Sequence, residues 1–157
     1  MSCSGMETVD ELELVVERLM DAPVAAVWKA YTDHLNDWFC PPPWRAEVQV
    51  MELRAGGRAL VTMYGPDGEV VPNDGVYLEV IPERKIVFTD AFQAGWKPAG
   101  PFMVGIFEFE PQGDKTLYRG RARHWTKDAL EQHKTMGFEA GWGKVAEQWE
   151  AVAKRLA

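Results

Sequence analysis

The stretch that decides the fold is TKDALEQHKTMGFEAGWGKVAEQWEAVAKRLA, residues 126–157. Phe138, Trp142, Val145, Trp149, Val152 and Leu156 follow one another at alternating steps of four and three, the spacing that lines side chains along one face of an α-helix. Such a stripe has to be covered by another layer. Lys144, Glu147, Glu150, Lys154 and Arg155 fall away from it and are expected to face water, with Glu150 and Lys154 an acidic-to-basic pair one turn apart. Thr126 is the expected N-cap and Asp128 the first-turn acid, so one long helix is expected, with allowance for a short separate first turn. Gly137, Gly141 and Gly143 each cost ~1 kcal/mol against alanine inside a helix. Two readings of them stand: close approach of a strand backbone, or room beside Phe138 and Trp142 for a small molecule.

Working outward, the chain of 157 residues is one domain by length and large enough for a hydrophobic core of its own. Seven tryptophans call for large aromatic surfaces to be buried. A net charge of −7, with no cluster of Lys or Arg, argues against binding a phosphate backbone, so no nucleic-acid partner is expected. Cys3 and Cys40 form neither a disulfide framework nor a metal-ligand spacing. The first ten residues lack a basic and then apolar leader, and no later apolar run approaches spanning length. A cytoplasmic protein without membrane insertion is expected.

Residues 1–10 are small, polar and acidic and read as a disordered tail, with a single domain over 11–157. A first strand is expected over 11–19, with Leu12, Leu14 and Val16 on one face and Glu11, Glu13 and Glu17 among the alternating positions. Asp21 then reads as the cap of a helix carrying Val24, Val27, Trp28 and Tyr31, and a second short helical piece over 34–39 ends at Pro41, Pro42 and Pro43. Trp38, Phe39 and Trp44 crowd that proline loop and either plug the core or rim a pocket.

From Arg45 to Trp125 the period changes to two. Turn signals at Ala55-Gly56-Gly57, Gly65-Pro66-Asp67-Gly68, Pro82-Glu83-Arg84 and Pro111-Gln112-Gly113-Asp114 separate strands over 45–53, 58–64, 75–81, 85–92, 102–110 and 116–125. Connections this short make antiparallel neighbours, hence a six-stranded meander. In the last strand Arg119, Arg121 and Arg123 share a face expected to meet water, opposite Tyr118, Gly120, Ala122 and His124. That second face is mostly small, as suits a sheet with a helix lying close. The segment 93–101, with Gly95, Trp96, Pro98 and Gly100, is either a lid or a surface loop pinned by Trp96. The economical packing is an α+β helix-grip fold: a curved antiparallel sheet wrapped around the terminal helix, two short helices after the first strand, and a cavity where sheet and helix part.

The order of these elements, with Ala22-Pro23-Val24-Ala25-Ala26-Val27-Trp28, Arg54-Ala55-Gly56-Gly57, Gly65-Pro66-Asp67-Gly68 and above all residues 133–143, HKTMGFEAGWG, resembles the START-like (SRPBCC) superfamily. Within it the chain looks like bacterial proteins related to the C-terminal domain of the activator of heat-shock-protein ATPase. The resemblance implies the helix-grip fold and a stress-response setting with a chaperone contact, and its superfamily includes lipid carriers, hormone receptors and cyclases. About ten residues precede the first strand where the chaperone activators carry a separate domain. The metal ligand set of the superfamily's ring-hydroxylating members has no counterpart among His34, His124 and His133, so neither metal nor cofactor is expected.

Several side chains carry candidate chemistry. His124 and His133 are an acid/base pair, half a metal site, or simply hydrogen-bond partners of backbone carbonyls. Asp90 shares a face with Ile86, Phe88 and Phe92, and Glu79 stands near Tyr77; each carboxylate is either in a pocket or solvated. There is no Gly-x-Ser-x-Gly elbow, phosphate loop, dinucleotide fingerprint or Cys-x-x-Cys. The expected function is binding of a small hydrophobic or aromatic molecule in a pocket of Trp38, Phe39, Trp44, Met63, Tyr77, Phe88, Asp90, Phe92, Phe107, Tyr118, His124, Phe138 and Trp142. The alternatives are a cyclase, isomerase or hydrolase using the same cavity, with Asp90, Tyr77 or His124 in proton transfer, and a protein that modulates a chaperone ATPase.

Overall fold

The computed structural model describes residues 12–157. The tail expected over 1–10 lies outside the described residues. In chain order the elements are β1 (Glu13–Met20), α1 (Val24–His34) followed by one 3-10 turn (Leu35–Asp37), β2 (Arg45–Met51), β3 (Arg58–Tyr64), β4 (Val70–Ile81), β5 (Lys85–Thr89), β6 (Phe92–Gln93), β7 (Lys97–Pro98), β8 (Val104–Gln112), β9 (Lys115–Arg123), α2 (Lys127–Thr135) and α3 (Phe138–Leu156).

The alternating segments pair as one seven-stranded antiparallel sheet in the order β1-β9-β8-β5-β4-β3-β2, and β6 pairs with β7 as a separate ribbon. The meander is the expected one, extended by β1, which joins the last strand with Glu13 opposite Arg123 and Met20 opposite Thr116. β4 starts at Val70 rather than Gly75: the ladder to β3 carries Pro72 and Asn73 opposite Thr62 and Val61. β5 stops at Thr89, where Gly75 of β4 comes so close to the Thr89 carbonyl that a Cβ would not fit.

Local chemistry corrects three helical expectations. Pro23, not Asp21, is the N-cap of α1, and its carbonyl accepts from the Ala26 and Val27 amides. The short piece expected over 34–39 is only the 3-10 turn. The expected single terminal helix is two helices. Thr126 does cap the first, its hydroxyl accepting from the Ala129 amide at 3.1 Å, but Gly137 breaks the run with φ of 93° and starts α3, a backbone state glycine enters without steric cost.

The stripe on α3 faces inward, with Phe138, Trp149 and Val152 buried and Trp142, Val145 and Leu156 half-buried. It packs on α1 and β1. At the centre Trp149 stacks on Trp38 with ring centres 4.1 Å apart, and Tyr31, Phe107, Phe109 and Tyr118 close around Trp149. Each central indole also spends its N–H, Trp38 on the Ala30 carbonyl and Trp149 on the Val27 carbonyl. Gln148 donates to the Trp38 and Cys40 carbonyls, both at 3.0 Å, and so ties the proline loop to α3.

Two charged surfaces depart from simple solvation. Arg119, Arg121 and Arg123 do lie on the outer face, but as a half-buried ladder with Glu13, Glu17, Glu108 and Glu110, in which the Glu13 side chain is only 3% exposed. Glu150, expected to be solvated on α3, instead accepts from Arg18 Nε at 2.6 Å and from the Asp21 amide at 2.7 Å. No helix among the described residues is long and apolar enough to cross a membrane.

Candidate functional site

The site is built from small residues on the inner face of the sheet and large ones facing them. In β8 and β9, Gly105 stands opposite Ala122 and Phe107 opposite Gly120. A Cβ on Gly105 would collide with the Phe88 ring, and one on Gly120 with the Tyr118 hydroxyl. These glycines are therefore seats for neighbouring rings, rather than a clearing for the helix as expected. Above them α3 carries Phe138 and Trp142, ring centres 4.6 Å apart, with Phe107 6.0 Å from Trp142.

One flank of α3 is open. Helical spacing puts Gly141 in line with Val145 and Gln148, the side turned toward the proline loop that Gln148 holds. A Cβ on Gly141 or Gly143 would meet no neighbouring atom within 4 Å, so no strand backbone approaches there. Phe39, Trp44, Met63, Phe88 and Trp142 border the core only half-buried. Each of these side chains packs on the core and leaves part of its apolar surface open.

Beside Phe138 and Trp142 lies a histidine pair. His124 Nδ1 and its backbone N–H both lie on the Leu12 carbonyl, and His124 Nε2 is 2.9 Å from His133 Nδ1. A carbonyl only accepts, so His124 Nδ1 carries a hydrogen; with the pair uncharged, Nε2 accepts from His133 Nδ1–H and His133 Nε2 keeps a lone pair. Burial, and secondarily the nearby His124, push His133 down to about 4. Phe102 and Phe138 flank its ring at 4.7 and 5.1 Å. Nine residues apart, the two histidines lie on either side of the turn into α2 and meet because α2 folds back onto β1.

The phenols are the other polar groups. Tyr31 and Tyr77 hydrogen-bond to each other at 3.0 Å, and burial raises the pKa of both, as it does that of Tyr118. Tyr31 appeared in the sequence only as one apolar position of the α1 stripe, so its part in this pair had no visible signal. Burial also pushes the Cys40 thiol up to about 11, which leaves it a poor nucleophile.

The expected site residues thus divide. Trp38, Tyr77, Phe107, Tyr118, His124 and Phe138 are buried; Trp38 plugs the core, and Phe39 and Trp44 pack half-buried against it. Phe88, Trp142 and Met63 are half-buried against the core. Phe92 belongs instead to the ribbon, edge-on to Trp96 at 5.8 Å, and Trp96 rests against Gly56, which pins that loop. Asp90 accepts from the Phe102 and Met103 amides and so anchors the approach to β8. Glu79 pairs with Lys85 on the surface. Two clefts are open at the surface, one of about 300 Å³ lined by Thr32, Asp33, His34, Leu35, Asn36, Asp37, Val48 and Met51, the other of about 150 Å³ against His124, at Val104, Arg123 and Trp125. Among the described residues no group of three or more His, Cys, Asp or Glu could hold a metal ion.

Comparison with solved structures places this architecture among bacterial relatives. A crystal structure of a protein from Nitrosomonas europaea is 36% identical with a TM-score of 0.87, covering 92% of this chain and 96% of that one. A protein from Mycobacterium smegmatis is 25% identical with a TM-score of 0.80 over 97% of both chains, and one from Arthrobacter aurescens, at 24% identity and a TM-score of 0.80 over 98% of this chain and 92% of that one, shares the fold. Comparison with curated proteins returned no match. The family model described as "Activator of Hsp90 ATPase homolog 1-like protein" matches residues 21–154. The seven-stranded grip on α3 and that match show that the chain belongs to the Activator of Hsp90 ATPase homolog 1-like family, within the START-like superfamily.

Proposed function

We propose that the protein is a cytoplasmic binding module that takes up a small hydrophobic or aromatic molecule between the start of α3 and the inner face of β5, β8 and β9. The observation that carries this is the open flank at Gly141. A glycine within a helix costs ~1 kcal/mol against alanine, and here no packing contact offsets it. In this reading the half-buried rings of Phe39, Trp44, Phe88 and Trp142 are the apolar walls of a recess, with few polar groups among them.

The test is a titration of the full chain with tetralin, a neutral two-ring hydrocarbon, followed by amide chemical shifts. Shifts centred on Gly105, Gly120 and Trp142 are expected. Gly141→Leu should raise the melting temperature, because the helix gains a better former, while filling the entrance and abolishing those shifts. Saturable binding that is unchanged in Gly141→Leu, or no binding to the wild type, contradicts the proposal.

The histidine pair favours a second reading, an isomerase or hydrolase in the same recess. His133 Nε2 would take a proton from the substrate, with His124 and the Leu12 carbonyl fixing its tautomer. His133→Asn, which keeps a donor near the Nδ1 position, should then abolish turnover while leaving tetralin binding intact; equal turnover removes this reading.

A further inference from the structure

The ring of Tyr118 has an evident place in the fold, and its hydroxyl has none. The residue is 2% exposed, and the ring packs on Trp149 and Phe107. Its hydroxyl leans over Gly120 beside Val16. The neighbouring core groups spend their polar hydrogens, Trp38 and Trp149 on carbonyls and Tyr31 with Tyr77 on each other. Tyr118 has no such partner among the described residues, and burial alone accounts for its raised pKa. Among those residues no side-chain nitrogen or oxygen is both sealed from water and unpartnered, so this hydroxyl borders a space that a water-sized molecule reaches. Buried hydroxyls are ordinarily paired.

We propose that the Tyr118 hydroxyl is the orienting donor of the recess, and that the ligand is a neutral ring compound bearing a ketone-type carbonyl oxygen. This rests on the binding function proposed above and adds the chemistry of what is bound. A carboxylate or phosphate would lose its water, and the arginines of β1 and β9 are already engaged: Arg18 by Glu150, and the three of β9 by glutamates on the outer face. A plain hydrocarbon leaves the hydroxyl unpaired. A carbonyl oxygen accepts from it and brings no charge. The lone pair left on His133 Nε2 repels an acceptor, so the carbonyl is directed to the Tyr118 hydroxyl.

The experiment compares 1-tetralone with tetralin, which share one ring skeleton, on the full-length wild type and Tyr118→Phe. The ratio of tetralone to tetralin affinity should fall about tenfold in the variant, the worth of one hydrogen bond, with tetralin affinity preserved. The infrared carbonyl band of bound tetralone should lie at lower frequency in the wild type than in the variant. Without ligand, Tyr118→Phe should melt no lower than the wild type, since no bond within the protein is lost. An unchanged affinity ratio, an unchanged carbonyl band, or a variant melting several degrees lower overturns the proposal while leaving the binding function in place. Failure of both probes to bind the wild type overturns the binding function, and the proposal with it.

Discussion

Glu150→Ala removes a side chain that joins three elements. One carboxylate oxygen takes Arg18 Nε of β1 at 2.6 Å, and the other takes the Asp21 amide at 2.7 Å in the turn leading to α1. The Glu150 side chain is only 13% exposed, whereas Arg18 is 41% exposed, so the Arg18 pair is partly screened and adds under about 1 kcal/mol. The charge-assisted bond to the amide adds about 1.5 kcal/mol. A total near 2 kcal/mol corresponds to a melting temperature lower by about 4–8 °C for a domain of this size. Burial pushes the Glu150 pKa up, but the Asp21 amide, Arg18 and Lys154 together outweigh it and hold the carboxyl below its usual value. A folded pKa below the unfolded one means that the contribution is present above about pH 4.5 and is lost as pH falls through the lowered value. Differential scanning calorimetry at pH 7 and again in mild acid measures both effects. Glu150→Gln, which keeps a neutral acceptor, should fall between wild type and alanine. Melting of Glu150→Ala within about 1 °C of wild type at pH 7, as for a solvated helix surface, would refute the bridging role.

Other perturbations follow from the same geometry. Trp149→Ala, removing a fully buried ring stacked on Trp38, should cost about 3–5 kcal/mol in chemical denaturation, and the half-buried Trp142→Ala clearly less; equal losses would contradict the packing. Gly137→Ala should destabilise by about 1 kcal/mol or more, because φ is 93° there, while Gly141→Ala should stabilise by about 1 kcal/mol; effects of the same sign would contradict the break between α2 and α3. His133, held at about 4 against an ordinary 6.5, takes up a proton more readily in the unfolded chain. Stability should therefore fall by at most about 3 kcal/mol as pH drops from 6.5 to 4, and His133→Asn should flatten that slope; an identical slope in the variant would contradict the buried pair.

Much of the fold was legible because it is written in local periods. The alternation from Arg45 to Trp125 and its Gly and Pro turns marked the meander, and the stripe from Phe138 to Leu156 marked the helix that it grips. What was not legible depends on partners distant in the chain or on backbone states. Gly137, Gly141 and Gly143 carry the same helical cost in sequence, yet only Gly137 has the left-handed φ that ends a helix. Glu150 looked solvated because Arg18 lies 132 positions away. Asp90 looked like an acid among rings, and only the fold shows it spent on two backbone amides. The histidine pair was visible as two candidates, while their contact and the resulting tautomer were not. The lone hydroxyl of Tyr118 could not be read at all, since an unmade bond leaves no pattern.

Binding beneath the start of α3 is tested most directly by an electron-density map of crystals grown with 1-tetralone. A ring beside Trp142 and Phe88, with its oxygen at the Tyr118 hydroxyl, is the expected result. Density confined to the surface clefts by Asp37 or Trp125, with the inner space closed by protein side chains, would contradict it.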